Sequence, residues 1–207
     1  SIIKRKGPLN PKIIARVGIQ IAFALQQAHE KGVIHRDIKP ENILINKKRM
    51  PIVVDFGIAK ARSSSNLSQT GMFIGTPQYM SPEQIKGGEI DGRSDIYSMG
   101  GLLYEMSTGR PPFKGLDSSQ LMYHQVHETP PSPIDVNPNV PQALSDIIMQ
   151  CLEKKPANRP QTAMDLSRML HDAVLSETPA TAQEEEKKSN GYEPVEQPED
   201  DDNDDMK

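Results

Sequence analysis

Disulfide chemistry is excluded at once, because the chain of 207 residues has a single cysteine, Cys151. One thiol cannot form an internal bridge and suits a reducing compartment, so a cytoplasmic setting is expected. Cys151 itself reads as a small buried hydrophobe on a helix. No apolar run approaches the roughly 20 residues that would cross a bilayer, so no membrane segment is expected in this chain. Nothing near the start resembles a signal peptide, and the first residue is Ser1 rather than Met. The chain is therefore expected to begin inside a longer polypeptide or to be a deliberately cut one. No internal repeat is visible.

The net charge of −4 conceals two opposite pieces. Residues 1–175 carry 21 basic and 16 acidic side chains, or +5; residues 176–207 carry 3 and 12, or −9. The acidic piece has scattered proline and few apolar residues, so it cannot bury enough surface to offset chain entropy. It is expected to be a disordered acidic tail, with the folded domain over 1–175.

Within the body, Asn10-Pro11 is a helix start: a capping side chain followed by proline at the first helical position. Ile13, Ile14, Val17, Ile21, Ala24, Leu25 and Ala28 then recur at helical spacing, and Gly32 stops the run. Ile43–Ile45 and Ile52–Val54, with turn-forming residues between them, predict a small β-hairpin. Ser63–Gly71 reads as a loop. Residues Ser94–Ser107 set Ile96, Met99, Leu102, Leu103 and Met106 around Gly100 and Gly101, which predicts a buried helix closed by Gly109. Two helical glycines cost about 1 kcal/mol each against alanine, so close packing is the expected reason for them. Further helices are expected at Asp117–Glu128, Pro141–Lys154 and Thr162–Leu175. The fold class is mainly α with a small β element.

Three segments carry the chemistry: HRDIKPEN at His35–Asn42, DFG at Asp55–Gly57 and GTPQYMSPEQ at Gly75–Gln84. Either of the first two alone would suit a polar turn capped by aspartate. In this order, with Lys39 and Asn42 offset from Asp37 and a hairpin between the loops, they resemble the catalytic, metal-binding and substrate-docking loops of a Hanks-type Ser/Thr protein kinase of the bacterial branch. The resemblance covers 1–175 and is to the C-terminal lobe alone. No Gly-rich phosphate loop and no V-A-I-K strand is present, so the N-terminal lobe is expected upstream.

The resemblance implies ATP and Mg²⁺ as cofactors and protein substrates as partners, with no nucleic acid. Asp37 is then the catalytic base for the attacking hydroxyl, and Lys39 neutralises the transferring phosphate. The carboxamide oxygen of Asn42 and the carboxylate of Asp55 are hard donors suited to Mg²⁺. Leu44 becomes the floor under adenine, with Val54 beside it. Thr76 steadies base and lysine and helps dock substrate; with Lys39 it implies Ser/Thr rather than Tyr specificity. Arg36 and Lys60 form a phosphate pocket for an activation loop phosphorylated at Ser68 and Thr70. His35 packs under Phe56, Asp95 accepts backbone N–H groups of the catalytic loop, and Glu83 pairs with Arg159. His124 and His127 lie one turn apart, but with no third ligand they read as a plain helix face. His29 and His171 carry no signal.

Two function classes stay open. The chain is a piece of an ATP-dependent Ser/Thr protein kinase, inactive by itself for want of the upper lobe, or a truncated, kinase-derived module that binds and transfers nothing.

Overall fold

A computed structural model describes residues 7–56, 77–113 and 117–176, with side chains up to Ala173. The chain divides into two units, Ser1–Leu175 and Ser176–Lys207, and the account below is of the first. It is mainly helical with one two-stranded sheet. The acidic piece beyond Ser176, the segment before Gly7 and the loop holding Lys60, Ser68, Thr70 and Thr76 lie outside the described residues.

Helix α1 (Pro11–His29) starts where its signals fall, with the Asn10 side chain accepting the Lys12 N–H at 2.9 Å and proline in the first turn. Its buried face is Ile14, Ala15, Gly18, Ile21, Ala22 and Leu25. Two corrections apply to the periodic reading. Ile13 is half exposed, and the small residues Ala15, Gly18 and Ala22 complete the stripe instead. They are small for a reason: a Cβ on Gly18 would stand 2.8 Å from Leu170 and 3.0 Å from Leu103.

Strands β1 (Ile43–Ile45) and β2 (Pro51–Val53) pair antiparallel, with Leu44 opposite Ile52 and Ile45 opposite Pro51. The second strand thus starts one residue earlier than expected, at a proline, which a terminal position on a two-stranded ribbon tolerates. Asn46 builds the turn by accepting the Lys48 and Met50 N–H groups on its side chain.

Helix α2 (Pro82–Lys86) is a short element that periodicity did not reveal. Helix α3 (Gly92–Thr108) is the central column, with every residue from Ser94 to Ser107 buried. Asp91 caps it on the Arg93 N–H, and Gly109 closes it in the left-handed conformation. The two inner glycines are contact points. A Cβ on Gly100 would meet Cys151 Cβ at 2.7 Å, and one on Gly101 would meet the Tyr79 ring at 3.2 Å. Helices α4 (Ser118–His127), α5 (Pro133–Val136), α6 (Gln142–Cys151) and α7 (Ala163–Ser176) complete the lobe. One core runs through α1, α3, α6 and α7, from Ile14 and Leu25 to Ile148, Leu166 and Leu170.

Cys151 is fully buried, and loss of hydration pushes its thiol up to about 12. It is an unreactive core residue at neutral pH. His124 packs edge-on against Phe113, and His127 stacks on Tyr123. Among the described residues no cluster of His, Cys, Asp and Glu could hold a metal ion, and no helix is long and apolar enough to cross a membrane.

Candidate active site

The loop from His35 to Asn42 leaves α1 through a left-handed Gly32 and turns over the start of α3. It is held from below by Asp95, whose carboxylate is fully buried in the first turn of α3. That carboxylate accepts the His35 N–H at 2.9 Å, the Arg36 N–H at 2.8 Å and the His29 ring Nε2 at 2.8 Å. A buried carboxylate is tolerable only when its lone pairs are filled in this way. His29, which sequence reading passed over, is thus the third leg of the mount. Its signal was positional: it closes the last turn of α1, where no residue pattern announces a partner 66 positions away.

His35 clamps two strands of the site. Its Nε2 lies 2.8 Å from the Val54 carbonyl, and the Asp37 N–H approaches its Nδ1 at 3.3 Å. A carbonyl only accepts and an amide N–H only donates, so the ring is the Nε2–H tautomer. The Phe56 ring stands edge-on to it at 4.8 Å. Arg36, between the clamps, has φ +68°, a left-handed conformation that a non-glycine residue adopts only when its surroundings enforce it.

Asp37 projects its carboxylate half exposed beside two donors. Lys39 Nζ is 2.7 Å from Oδ2, and Asn42 Nδ2 is 3.1 Å from the same oxygen. Asn42 Nδ2 also bonds the Asp37 carbonyl at 2.7 Å, which leaves the carboxamide oxygen as the end available to a cation. Asn42 stands just before β1, and its carbonyl accepts the Val54 N–H at 3.0 Å, extending the ladder by one pair beyond Ile43–Val53. Asp55 follows directly, with φ +65°, its side chain exposed. Asn42 and Asp55 are thereby brought to the same end of the hairpin. Their oxygens make a hard donor set of the kind Mg²⁺ takes. Leu44 and Ile52 pair on the outer face of the ribbon, 54% and 46% exposed.

The far wall is anchored by Glu83 and Arg159. The guanidinium meets the carboxylate through two bonds of 2.7 and 2.8 Å and also donates to the carbonyls of Arg93, Glu153 and Lys154. Burial alone would raise the Glu83 carboxyl, but the Arg159 and Ser94 hydrogen bonds outweigh it, and the net shift is downward. Ser81 is the N-cap of α2 in a reciprocal capping box with Gln84. Serine at this position is therefore a helix cap. Gly57, Lys60, Ser68, Thr70 and Thr76 lie outside the described residues, so of the two side chains expected to form a phosphate pocket only Arg36 is described. A cleft of about 300 Å³ between α1 and the Asp91–Arg93 turn, bordered by His29 and Gln161, includes none of Asp37, Lys39, Asn42 or Asp55.

A helical lobe with a loop-borne Asp–Lys–Asn cluster, an exposed carboxylate at a hairpin end and a buried Glu–Arg anchor has the architecture of the protein-kinase class. Comparison with known proteins agrees. Residues 1–171 match the protein kinase domain model. A probable serine/threonine-protein kinase of Clostridium perfringens is 40% identical over 198 residues, 94% of this chain and 29% of that protein. The kinases PknD and PknB of Mycobacterium tuberculosis are 41% and 39% identical, over 85% and 91% of this chain and 27% and 31% of theirs. The crystal structure of the M. tuberculosis PknI kinase domain superposes with a TM-score of 0.62 at 22% identity, covering 82% of this chain and 57% of that one. The chain belongs to the protein kinase family, within the bacterial Hanks-type Ser/Thr branch. It spans about 30% of the length of the curated relatives it matches.

Proposed function

We propose that this chain is the substrate-side lobe of an ATP-dependent protein kinase that phosphorylates Ser or Thr hydroxyls, with Asp37 as base. The observation that carries the reading is the Asp37 carboxylate, half exposed and flanked by Lys39 Nζ and Asn42 Nδ2 on one rigid loop. The cation and the amide hold Oδ2, so the carboxylate is oriented before any substrate arrives, which is how positioning lowers the barrier to phosphoryl transfer. Lys39, now engaged by Asp37, is close enough to shift toward a phosphate that comes to the same place. Asn42 and Asp55 would hold Mg²⁺, which supplies charge neutralisation on the phosphates when bound. Leu44 and Val54 would border the adenine, Thr76 would dock substrate, and Arg36 with Lys60 would take a phosphate from Ser68 or Thr70.

The 207 residues contain no Gly-rich loop and no lysine strand to hold the α- and β-phosphates. Nucleotide affinity and turnover of these residues alone are therefore expected to be poor, in a cytoplasmic setting. The domain reading, 1–175 as kinase lobe and 176–207 as acidic tail, belongs to the same proposal.

The test joins this lobe to a kinase N-terminal lobe in one longer polypeptide and measures transfer of labelled γ-phosphate to a Ser/Thr protein substrate, beside calorimetric titration of the 207-residue chain with Mg-ATP. Transfer by the longer protein only, lost in Asp37→Asn, supports the reading. Transfer that survives Asp37→Asn, or sub-micromolar nucleotide binding by the lobe alone, overturns it.

A further inference from the structure

We propose that Gln84 is a positioning residue for Asp37, a role that rests on Asp37 being the base as inferred above. Three observations converge. The first is the strained backbone at Arg36, where the residue before Asp37 sits at φ +68°. Its N–H is fixed from below by Asp95 Oδ1 at 2.8 Å. The second is what fixes its other end: Gln84 Nε2 donates to the Arg36 carbonyl at 2.8 Å, from 48 residues away. That carbonyl and the Asp37 N–H belong to one rigid peptide plane. The plane is therefore gripped at both edges, by Gln84 on the oxygen and by His35 Nδ1 on the N–H. The tilt of this plane sets where the Asp37 side chain leaves the backbone.

The third observation is that the same side chain has a second task. Gln84 Oε1 accepts the Ser81 N–H at 2.9 Å and the Ser81 hydroxyl at 3.1 Å, while the Ser81 hydroxyl caps the Gln84 N–H. A carboxamide, with a donor and an acceptor on one head, can cap α2 and hold the loop at the same time. Gln84 thus couples the segment that follows the docking loop directly to the base. Because Glu83, its neighbour, is fastened to Arg159, the Gln84 head reaches the loop from an anchored helix.

The two tasks separate by substitution. Gln84→Glu keeps the acceptor that caps Ser81, and glutamate is itself a preferred residue there, but it loses the donor and turns a carboxylate toward the Arg36 carbonyl. Gln84→Met loses both. The experiment measures amide hydrogen exchange by NMR in the 207-residue chain, with melting temperature alongside. In both variants the Asp37 amide is expected to exchange about tenfold faster, while the Arg36 amide, bonded to Asp95, stays within about threefold of the parent. Gln84→Glu is expected to melt like the parent and Gln84→Met below it. In the longer kinase, Gln84→Glu is expected to lower kcat about tenfold or more with KM for ATP nearly unchanged. An unchanged Asp37 amide in Gln84→Glu, or an unchanged kcat, makes Gln84 a helix cap alone and overturns the proposal. Absence of transfer in the parent protein would sink the kinase reading, while the exchange data would still decide whether Gln84 holds the peptide plane.

Discussion

The underside of the His35–Asn42 loop and the face above it are built on opposite rules. Below, Asp95 is fully buried and three donors fill its carboxylate; Glu83 and Arg159 are locked through two bonds; no buried side-chain polar atom among the described residues lacks a partner. Above, Asp37 and Asp55 reach toward solvent, and Leu44, Ile52 and Phe56 expose apolar surface that the core does not use. The lower side consists of interactions that are costly to interrupt, since each buried polar group depends on the others. The upper side consists of side chains that folding tolerates in many forms and the proposed chemistry would not. Stability and proposed function are therefore separable here by mutation, and each variant below pushes on one side only.

The largest effect is expected on the upper side and on rate. Asp37→Asn keeps the shape and the contact with Asn42 but removes the charge that, as the proposed base, would orient a hydroxyl. In the longer kinase, kcat is expected to fall by about two to four orders of magnitude while the melting temperature stays near that of the parent. A fall in both would mean that Asp37 also belongs to the structural side.

On the lower side, Asp95→Ala strands the N–H groups of His35 and Arg36 and the His29 ring. Buried donors left empty cost about 1–3 kcal/mol each, so chemical denaturation is expected to register a loss of several kcal/mol or outright unfolding. Glu83→Ala leaves the buried Arg159 without its counter-charge, for a loss of about 3–5 kcal/mol. By contrast, Leu44→Gln with Ile52→Thr is expected to change stability by no more than about 0.5 kcal/mol, because both side chains already face water. The readout there is sedimentation: removing the exposed apolar pair is expected to reduce self-association of the chain. If the hairpin variant proves as damaging as Glu83→Ala, the division between the two sides fails.

Much of this division was legible in the residues. Motif order and the offsets of Lys39 and Asn42 from Asp37 identified the family. Asn10-Pro11 and Gly109 marked helix ends because caps are local chemistry, and the paired glycines in α3 announced close approach, now seen at Cys151 and Tyr79. What did not show were contacts between distant segments that leave no periodic trace. His29 looked ordinary since its partner Asp95 is far along the chain, and Gln84 was overshadowed by the Glu83 beside it. Ile13 reads as buried because apolar spacing fits two adjacent stripes of α1, and the close approach of Leu103 and Leu170 to Gly18 selects the stripe that leaves it exposed. Helix α2, at five residues, is too short for periodicity to register.

The smallest predicted effect concerns a cation beside the lower anchor. Lys154 Nζ lies over the Phe113 ring at 4.7 Å and the Tyr97 ring at 5.6 Å, and Arg159 occupies the same Tyr97 ring at 4.9 Å. Arg159 has Glu83; among the described residues no carboxylate stands within salt-bridge distance of Lys154, and its polar contact is the Tyr97 hydroxyl at 3.3 Å. Burial, then repulsion from Arg159, lowers its ammonium from the usual 10.5 to about 8, against weaker pull from Glu153 and Glu128. The folded chain therefore releases this proton near pH 8 and the unfolded chain only near pH 10.5. Between those values the unfolded state binds more protons, so this group makes stability rise with pH. Cys151 and Tyr97 act the other way above about pH 9, since burial raises both and their unfolded forms ionise first. Comparing Lys154→Met with the parent from pH 7 to pH 9 cancels those shared contributions. The parent is expected to gain stability relative to the variant across that range in denaturant titrations. A pH-independent difference would place the Lys154 ammonium in water, away from the aromatic faces and the guanidinium.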